Sequence, residues 1–80
     1  MNQQQAVALV KAKRAELEID PAMRPASAEK AIVLAHRGGD GSQPGVDCVA
    51  WIVTLSSRWG WVRVDVDDSS GAVLAVQRSL

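Results

Sequence analysis

The stretch WIVTLSSRWGWVRVDVDDSSGAVLAV, residues 51–76, decides the fold of this 80-residue chain. Within it, Val62, Val64 and Val66 alternate with charged side chains, and a period of two is typical of a β-strand with one buried and one solvated face. Residues 67–71, DDSSG, then favour a chain reversal with a positive φ angle. Because a further β-rich run follows at 72–76, the stretch predicts consecutive antiparallel strands joined by tight turns.

The segment before this hairpin is apolar on both of its faces. Trp51 and Val53 lie on one side of an extended chain, while Ala50 and Ile52 lie on the other. Such a pattern is typical of a central strand or of a strand covered on both sides. We therefore predict a three-stranded antiparallel meander with strands near 46–56, 61–68 and 72–78.

Residues 3–18 favour a helix, because good helix formers dominate and no glycine or proline interrupts them. An apolar stripe repeats at helical spacing, formed by Ala6, Leu9, Val10, Lys13 and Leu17. The basic residues precede the acidic ones, so the acidic groups lie at the negative end of the helix macrodipole. This helix therefore needs packing to hold it, and Pro21 is expected to end it.

A second, shorter helix is predicted for residues 28–36. Ser27 is a candidate N-cap, and Ala28, Ala31 and Ala35 repeat at three- and four-residue steps. The glycine-rich segment 38–45 is predicted to be a loop between helices and sheet.

These patterns predict one small α+β domain spanning residues 1–80, with two N-terminal helices packed on one face of the three-stranded meander. If the first helix does not pack on its own sheet, we expect it to pack on a second copy of the chain. A short chain with few aromatic side chains has a thin core, so dimerisation is a plausible supplement.

Charge and composition narrow the classes of partner. Nine basic and nine acidic side chains cancel, which removes the positive field that gathers nucleic acid. Cys48 is the single cysteine and cannot form an internal disulfide. No signal peptide or membrane span is visible in the sequence. We therefore predict no nucleic-acid partner, no membrane partner and a cytoplasmic location as given, or a periplasmic or secreted one if a leader was removed.

Neither a catalytic residue nor a metal ligand is predicted. Ser56, Ser57 and His36 could supply a hydroxyl and a base, but no G-x-S-x-G elbow accompanies them. The acidic run that begins at Asp65 opens like a calcium loop, yet it lacks the turn glycine and the final glutamate. Cys48 and His36 alone do not complete a zinc site. The expectation is therefore a protein that is not an enzyme and has no cofactor.

The Trp59-Gly60-Trp61 segment is the strongest candidate for a binding surface. Tryptophan is enriched among interface hot spots because it buries a large area at low entropic cost. The alternative is that both indoles cap a small core that has few other aromatic side chains. We predict partner-binding residues Trp59, Trp61, Trp51 and Arg63.

One family resemblance runs through residues 26–77. The order Ser27-x-Glu29-x-Ala31-x-x-x-Ala35, a glycine-rich loop, Trp51-x-Val53 and then V-x-V-D-x-x-x-G-x-V-L from Val64 to Leu74 resembles the PepSY domain. Those modules occur in propeptides of thermolysin-like metalloproteases and in secreted or membrane-attached bacterial proteins. The resemblance implies a helix packed on an antiparallel sheet and a non-catalytic role in binding or inhibiting a protein, above all a peptidase. A looser likeness is to small bacterial immunity proteins, which are also binders.

The sequence thus predicts a non-catalytic protein-binding module, and the resemblance implies a peptidase-inhibitory or regulatory PepSY-like domain. The alternative function is that of a structural homo-oligomeric or immunity-type protein with no small-molecule ligand, and a homodimer is compatible with both.

Overall fold

The computed structural model describes residues 1–35 and 46–79. Within that part of the chain, one helix precedes four strands, which form a single antiparallel sheet in the order β1-β2-β3-β4. Their bounds are α1 Gln3–Ala12, β1 Arg24–Ala35, β2 Val46–Ser57, β3 Gly60–Asp67 and β4 Val73–Arg78. The architecture is therefore mostly β, with one helix on a four-stranded sheet.

The predicted arrangement of two helices on a three-stranded meander is wrong, because the segment expected as the second helix is strand β1. This strand pairs with β2 in an antiparallel register that joins Ala28 to Val53 and Ile32 to Val49. The alanine spacing that suggested a helix also fits a strand, because both faces of an extended chain with this sequence carry apolar side chains. His36, which ended the predicted helix, and the predicted loop at 38–45 lie outside the described residues.

The three strands that the sequence predicted are confirmed, with ends shifted by one residue or so. In a meander of three strands β2 would lie at an edge, whereas here β1 and β3 flank it on either side. Flanking strands pair with the edges of β2 and do not cover its faces. Its apolar side chains therefore lie on both faces of the sheet, with Val53 and Leu55 on the side of α1 and Ala50 and Ile52 on the other side.

Helix α1 begins with a capping box. The Asn2 side chain accepts a hydrogen bond from the Gln5 N–H, and the Gln5 side chain accepts one from the Asn2 N–H, each at 2.8 Å. These bonds satisfy two backbone donors that a helix start leaves unpaired. Since a single 10-residue helix is marginal on its own, packing on the sheet must provide most of its stability.

The helix ends at Ala12, six residues earlier than the sequence predicted, and residues 13–18 form turns. A left-handed Glu18, with φ 55°, stops this segment. The Glu18 N–H bonds the Ala15 carbonyl at 3.2 Å, and the Ile19 N–H bonds the Arg14 carbonyl at 3.0 Å. This pair of bonds is the Schellman pattern, and it turns the buried Ile19 toward the core.

The core lies between α1 and one face of the sheet. Ala6 and Val10 of α1 are fully buried, so the helix packs on its own sheet as expected for the apolar stripe. The buried sheet residues in this cluster are Ala28, Val53, Leu55, Val62, Val64 and Val66. The molecule measures 37 × 28 × 19 Å, and its thin dimension corresponds to one helix layer on one sheet layer.

The turn between β3 and β4 closes on Gly71, as its composition predicted. Gly71 has φ 75°, and its N–H bonds the Asp67 carbonyl at 3.0 Å. A Cβ atom at this position would lie 2.9 Å from Cδ1 of Leu9. The turn therefore needs glycine both for its backbone angle and for close contact with α1.

Side-chain hydrogen bonds hold the start of α1 and residues 17–18 on the sheet. The Gln3 side chain of α1 donates to the Ala28 carbonyl on β1 at 3.2 Å. At the end of β4, Arg78 donates to the carbonyls of Leu17 and Glu18. Both ends of the N-terminal segment are thus joined to the sheet by long-range hydrogen bonds.

We expect Gly71→Ala to lower the free energy of unfolding by about 1–2 kcal/mol or more, because a side chain is strained at this φ and collides with Leu9. Urea unfolding followed by tryptophan fluorescence measures the change. Ser69→Ala, an exposed position in the same turn, is the control and should stay within about 0.5 kcal/mol of the wild type. Equal effects of the two changes would contradict this explanation.

Conversely, Glu18→Gly should raise the free energy of unfolding by about 0.5–1 kcal/mol, because glycine relieves the left-handed strain and only part of that gain is lost to chain entropy. The same unfolding assay applies. Glu16→Gly, an exposed position in the same segment without a positive φ, should destabilise instead. A loss of stability in both variants would show that Glu18 is not strained.

Candidate functional site

The face of the sheet opposite α1 is the candidate binding surface, and we call it the open face. Residues paired across neighbouring strands form rows on this face, and the middle row consists of Glu29, Ile52 and Asp65. No helix or strand of residues 1–35 and 46–79 lies across it. Its members by register are Arg24, Ser27, Glu29, Ala31 and Val33 of β1, Cys48, Ala50, Ile52, Thr54 and Ser56 of β2, Trp61, Arg63, Asp65 and Asp67 of β3, and Ala75 and Gln77 of β4.

Two of the predicted tryptophans lie at one end of this face. Trp61 belongs to the face and is 42% exposed, while Trp59 stands in the β2–β3 turn and is 81% exposed. The Trp61 N–H donates to Oγ of Ser79 at 2.8 Å, and the Ser79 N–H donates to the Trp61 carbonyl at 3.0 Å. The backbone that carries Trp61 is therefore held in place, although its indole remains open to a partner. We call Trp59 and Trp61 the tryptophan corner.

Trp59 is positioned by its own turn. Its N–H donates to Oγ of Ser57 at 3.1 Å, and the Arg58 guanidinium lies 5.6 Å from the centroid of its ring. Arginine over an indole face is a cation–π contact that limits the orientations of both side chains. The tryptophan corner thus presents an exposed Trp59 indole, and rotation of this indole would break its contact with Arg58.

Arg63 follows Trp61 on the same face of β3. Its Nε lies 3.1 Å from Oδ1 of Asp65, while 37% of the Arg63 side chain remains exposed. Asp65 itself is buried to 9% exposure, and a buried carboxylate needs such a partner. Trp61 and Arg63 therefore lie on one face of β3, next to the turn that carries Trp59.

Trp51 is separated from these three residues because it points to the other side of the sheet. It packs against the core cluster on the side of α1. Its Nε1–H donates to Oδ1 of Asp68 at 2.8 Å, and Nζ of Lys30 lies 5.9 Å from its ring centroid. Trp51 therefore holds β2 to the β3–β4 turn and does not share a surface with the tryptophan corner.

Asp68 joins several segments through its carboxylate. Besides Trp51, its oxygens lie 3.7 Å from Nζ of Lys30 and 3.6 Å from the amino group of Met1. The hydrogen bond from Trp51 is the largest cause that lowers the pKa of Asp68, and the nearby positive charges of Lys30 and Met1 add to it, while partial desolvation opposes the shift. Sequence patterns did not indicate this partner, since Asp68 reads as an ordinary turn residue.

Two of the groups considered for catalysis or metal binding make hydrogen bonds that support turns. Ser57 supports the Trp59 turn, and Oδ2 of Asp67 accepts hydrogen bonds from the N–H and Oγ–H of Ser70 at 2.8 and 2.7 Å. Among residues 1–35 and 46–79, no group of three or more His, Cys, Asp or Glu side chains could hold a metal ion. Cys48 is half-buried, and its register with Val33 places it on the open face.

A cleft of about 690 Å³ lies where α1 meets the start of β1. Its lining includes Val7, Lys11, Arg14 and residues 21–25. Arg14 donates to the carbonyls of Pro21 and Met23 at 3.3 and 3.2 Å, which holds one wall of the cleft in place. The charged groups of the lining are cationic, and none of its residues is a serine, cysteine, histidine or carboxylate.

In comparisons with known proteins, no family model, no curated protein and no solved structure matches this chain. Within residues 1–35 and 46–79, the helix is too short and too polar to cross a membrane.

The lowered pKa of Asp68 predicts a pH-dependent stability. The stabilising effect of its carboxylate is fully present above the unfolded-state pKa of about 3.9 and is lost as the pH falls through the lower pKa of the folded state. Asp68→Asn should therefore destabilise the protein at pH 7, with a difference from the wild type that shrinks at pH 2–3. Urea unfolding at both pH values tests this, with Glu16→Gln, which alters an exposed carboxylate, as the control. A difference that stays constant with pH would contradict the role of the charge.

Proposed function

We propose that this chain is a non-catalytic protein-binding module that docks a protein partner on the open face and the tryptophan corner. The observation that supports the proposal most is the combined exposure of Trp59 and Trp61 at one end of a sheet face that no described helix or strand covers. Large exposed aromatic side chains on an ordered backbone are typical of interface anchors.

The structure of the open face fits docking better than it fits a simple solvated surface. Ala31, Val33 and Ile52 form a half-buried apolar middle beside the fully buried Ala50, while charged and polar side chains surround it. An apolar centre with a polar rim is the usual organisation of a protein interface. Arg63 adds an arginine beside the corner, and arginine is also enriched among hot spots.

A peptidase is the partner class that the PepSY resemblance adds to this proposal. The segment that carried its helical part, from Ser27 to Ala35, is strand β1, so support for a peptidase partner comes from the remaining pattern of the tryptophan strand and hairpin. Inhibition would then result from docking alone, since the role requires no reacting group of this chain.

Replacing both corner indoles, Trp59→Ala with Trp61→Ala, should abolish partner binding and leave the fold intact, because both side chains are exposed. The first assay measures whether the chain slows peptide cleavage by a thermolysin-like metalloprotease, with the double variant as comparison. The second assay crosslinks the chain in extract of its own host and compares the proteins attached to wild type and variant. Circular dichroism verifies that the variant is folded.

Ile32→Ala is the matched control, because Ile32 is a large hydrophobic residue that is 73% exposed on the opposite side of the sheet. The control should bind as the wild type does. Identical protein sets for wild type, control and double variant would reject the open face as the docking surface. Unchanged peptidase activity in the presence of wild type would remove the peptidase as partner.

A further inference from the structure

We propose that the cleft between α1 and the start of β1 binds a small organic anion, whose carboxylate or phosphate group is carried on an apolar body. This inference goes beyond the proposed function, because it concerns a second site and requires no protein partner. Three features of the cleft support it: positive charge without a counterion, apolar walls, and hydrogen bonds that hold one wall in place.

The lining of the cleft carries positive charge that no described carboxylate balances. Lys11 lies in the last turn of α1, Arg14 in the turn that follows, and Arg24 at the start of β1. In the part of the chain that the structure describes, none of the three forms an ion pair with a carboxylate. Register places Arg24 on the open face, so it lies at the rim, and Lys11 and Arg14 are the principal cations of the cleft.

The charge of Arg14 is only partly compensated by its surroundings. Arg14 is half-buried, whereas Lys11 is exposed. Two guanidinium nitrogens of Arg14 donate to main-chain carbonyls, but its Nε is buried and has no hydrogen-bond partner among the described residues. A cation held away from water favours a nearby anion, because burial of a charge is costly unless it is paired. An anion in the cleft would offset this charge, and the flexible stem of Lys11 lets its ammonium reach the same anion.

Hydrogen bonds hold the wall that precedes β1 in place before any ligand binds. Arg14 donates to the carbonyls of Pro21 and Met23, and the Met23 N–H donates to the Asp20 carbonyl at 3.0 Å. Asp20 is the acidic residue beside this wall, but its Oδ1 accepts the Ala22 N–H at 2.9 Å and it is not part of the lining. A ligand therefore meets an ordered wall, which lowers the entropic cost of binding.

Apolar side chains form much of the remaining lining. Val7 and Met23 are half-buried and pack against the core cluster, while Pro21 and Pro25 add rigid rings. A simple inorganic ion gains nothing from such walls. An alkyl or aromatic group would remove apolar surface from water by contact with them, so the cleft favours an anion with an apolar body.

The size of the site suits a small molecule. Its volume of about 690 Å³ lies in the range of about 300–1,000 Å³ that is typical of ligand sites. A second cavity of about 300 Å³ shares Val7 and Lys11 with the cleft and extends along α1 to Gln4. Since residues 4 and 11 of a helix are about 10 Å apart along its axis, a short chain attached to the anionic group has room there.

Titration with four probes, followed by the amide NMR signals of the chain, tests the inference. Octanoate and octyl phosphate combine an anionic group with an apolar chain, octanol has the chain alone, and inorganic phosphate has the charge alone. Both amphiphilic anions should shift the signals of Val7, Lys11 and Met23 with dissociation constants below about 1 mM, an affinity that ligands of this size reach. Octanol and inorganic phosphate should bind at least about 5-fold more weakly, because each lacks one of the two interactions. The tighter of the two amphiphilic anions identifies the preferred anionic group.

Lys11→Gln removes an exposed cation of the cleft and should weaken octanoate binding at least about 3-fold without affecting octanol. Lys13→Gln is the matched control, because it removes the same charge two residues later and Lys13 lines neither cavity. The control should bind as the wild type does. About 0.5 M salt should weaken octanoate binding to the wild type, since screening acts on exposed charges. Circular dichroism verifies the fold of both variants.

Equal binding of octanoate and octanol would overturn the inference, because the cations would then have no role, and phosphate binding as tight as that of octanoate would remove the apolar body. Unshifted signals of Val7, Lys11 and Met23 up to about 2 mM octanoate would also overturn it, as would equal losses of affinity in Lys11→Gln and Lys13→Gln. Shifts confined to the indole N–H signals of Trp59 would assign octanoate to the tryptophan corner instead of the cleft. None of these results depends on partner binding by the double tryptophan variant, so a failure of the proposed function stays distinguishable.

Discussion

The pairing of β1 with β2 is the interaction on which the rest of this structure depends. It makes β2 a central strand, paired with β1 along one edge and with β3 along the other. It also carries Ala28 into the core under α1 and places Lys30 beside Asp68 and Trp51. Without β1, the open face would lack the side chains of Glu29 and Ala31.

The hairpin of β3 and β4 could be predicted from the sequence because the residues that determine it are close together in the chain. The valines of β3 alternate over a short distance, and the turn residues at 67–71 have the chemistry that a left-handed Gly71 requires. Strand β1 could not be predicted in the same way. Its alanines fit a helical or an extended pattern equally, and the decision comes from its pairing with residues 11 to 32 positions later.

The candidate site was predictable to a similar extent. Once Val62 and Val64 point into the core, alternation places Trp61 and Arg63 on the other face. For Trp51 alternation was ambiguous, since both faces of β2 are apolar, and only the position of α1 decides which face is buried. The partnership of Trp51 with Asp68 joins residues of two segments through a turn geometry, so no spacing rule in the sequence could indicate it.

The bond from Gln3 to the Ala28 carbonyl has a consequence for how this chain behaves if α1 is lost. A terminal strand of 12 residues such as β1 is a template on which strands of other molecules can add. The first turn of the helix binds one acceptor of that strand through Gln3. Loss of α1 would therefore release the Ala28 carbonyl as well as uncover the core face of the sheet.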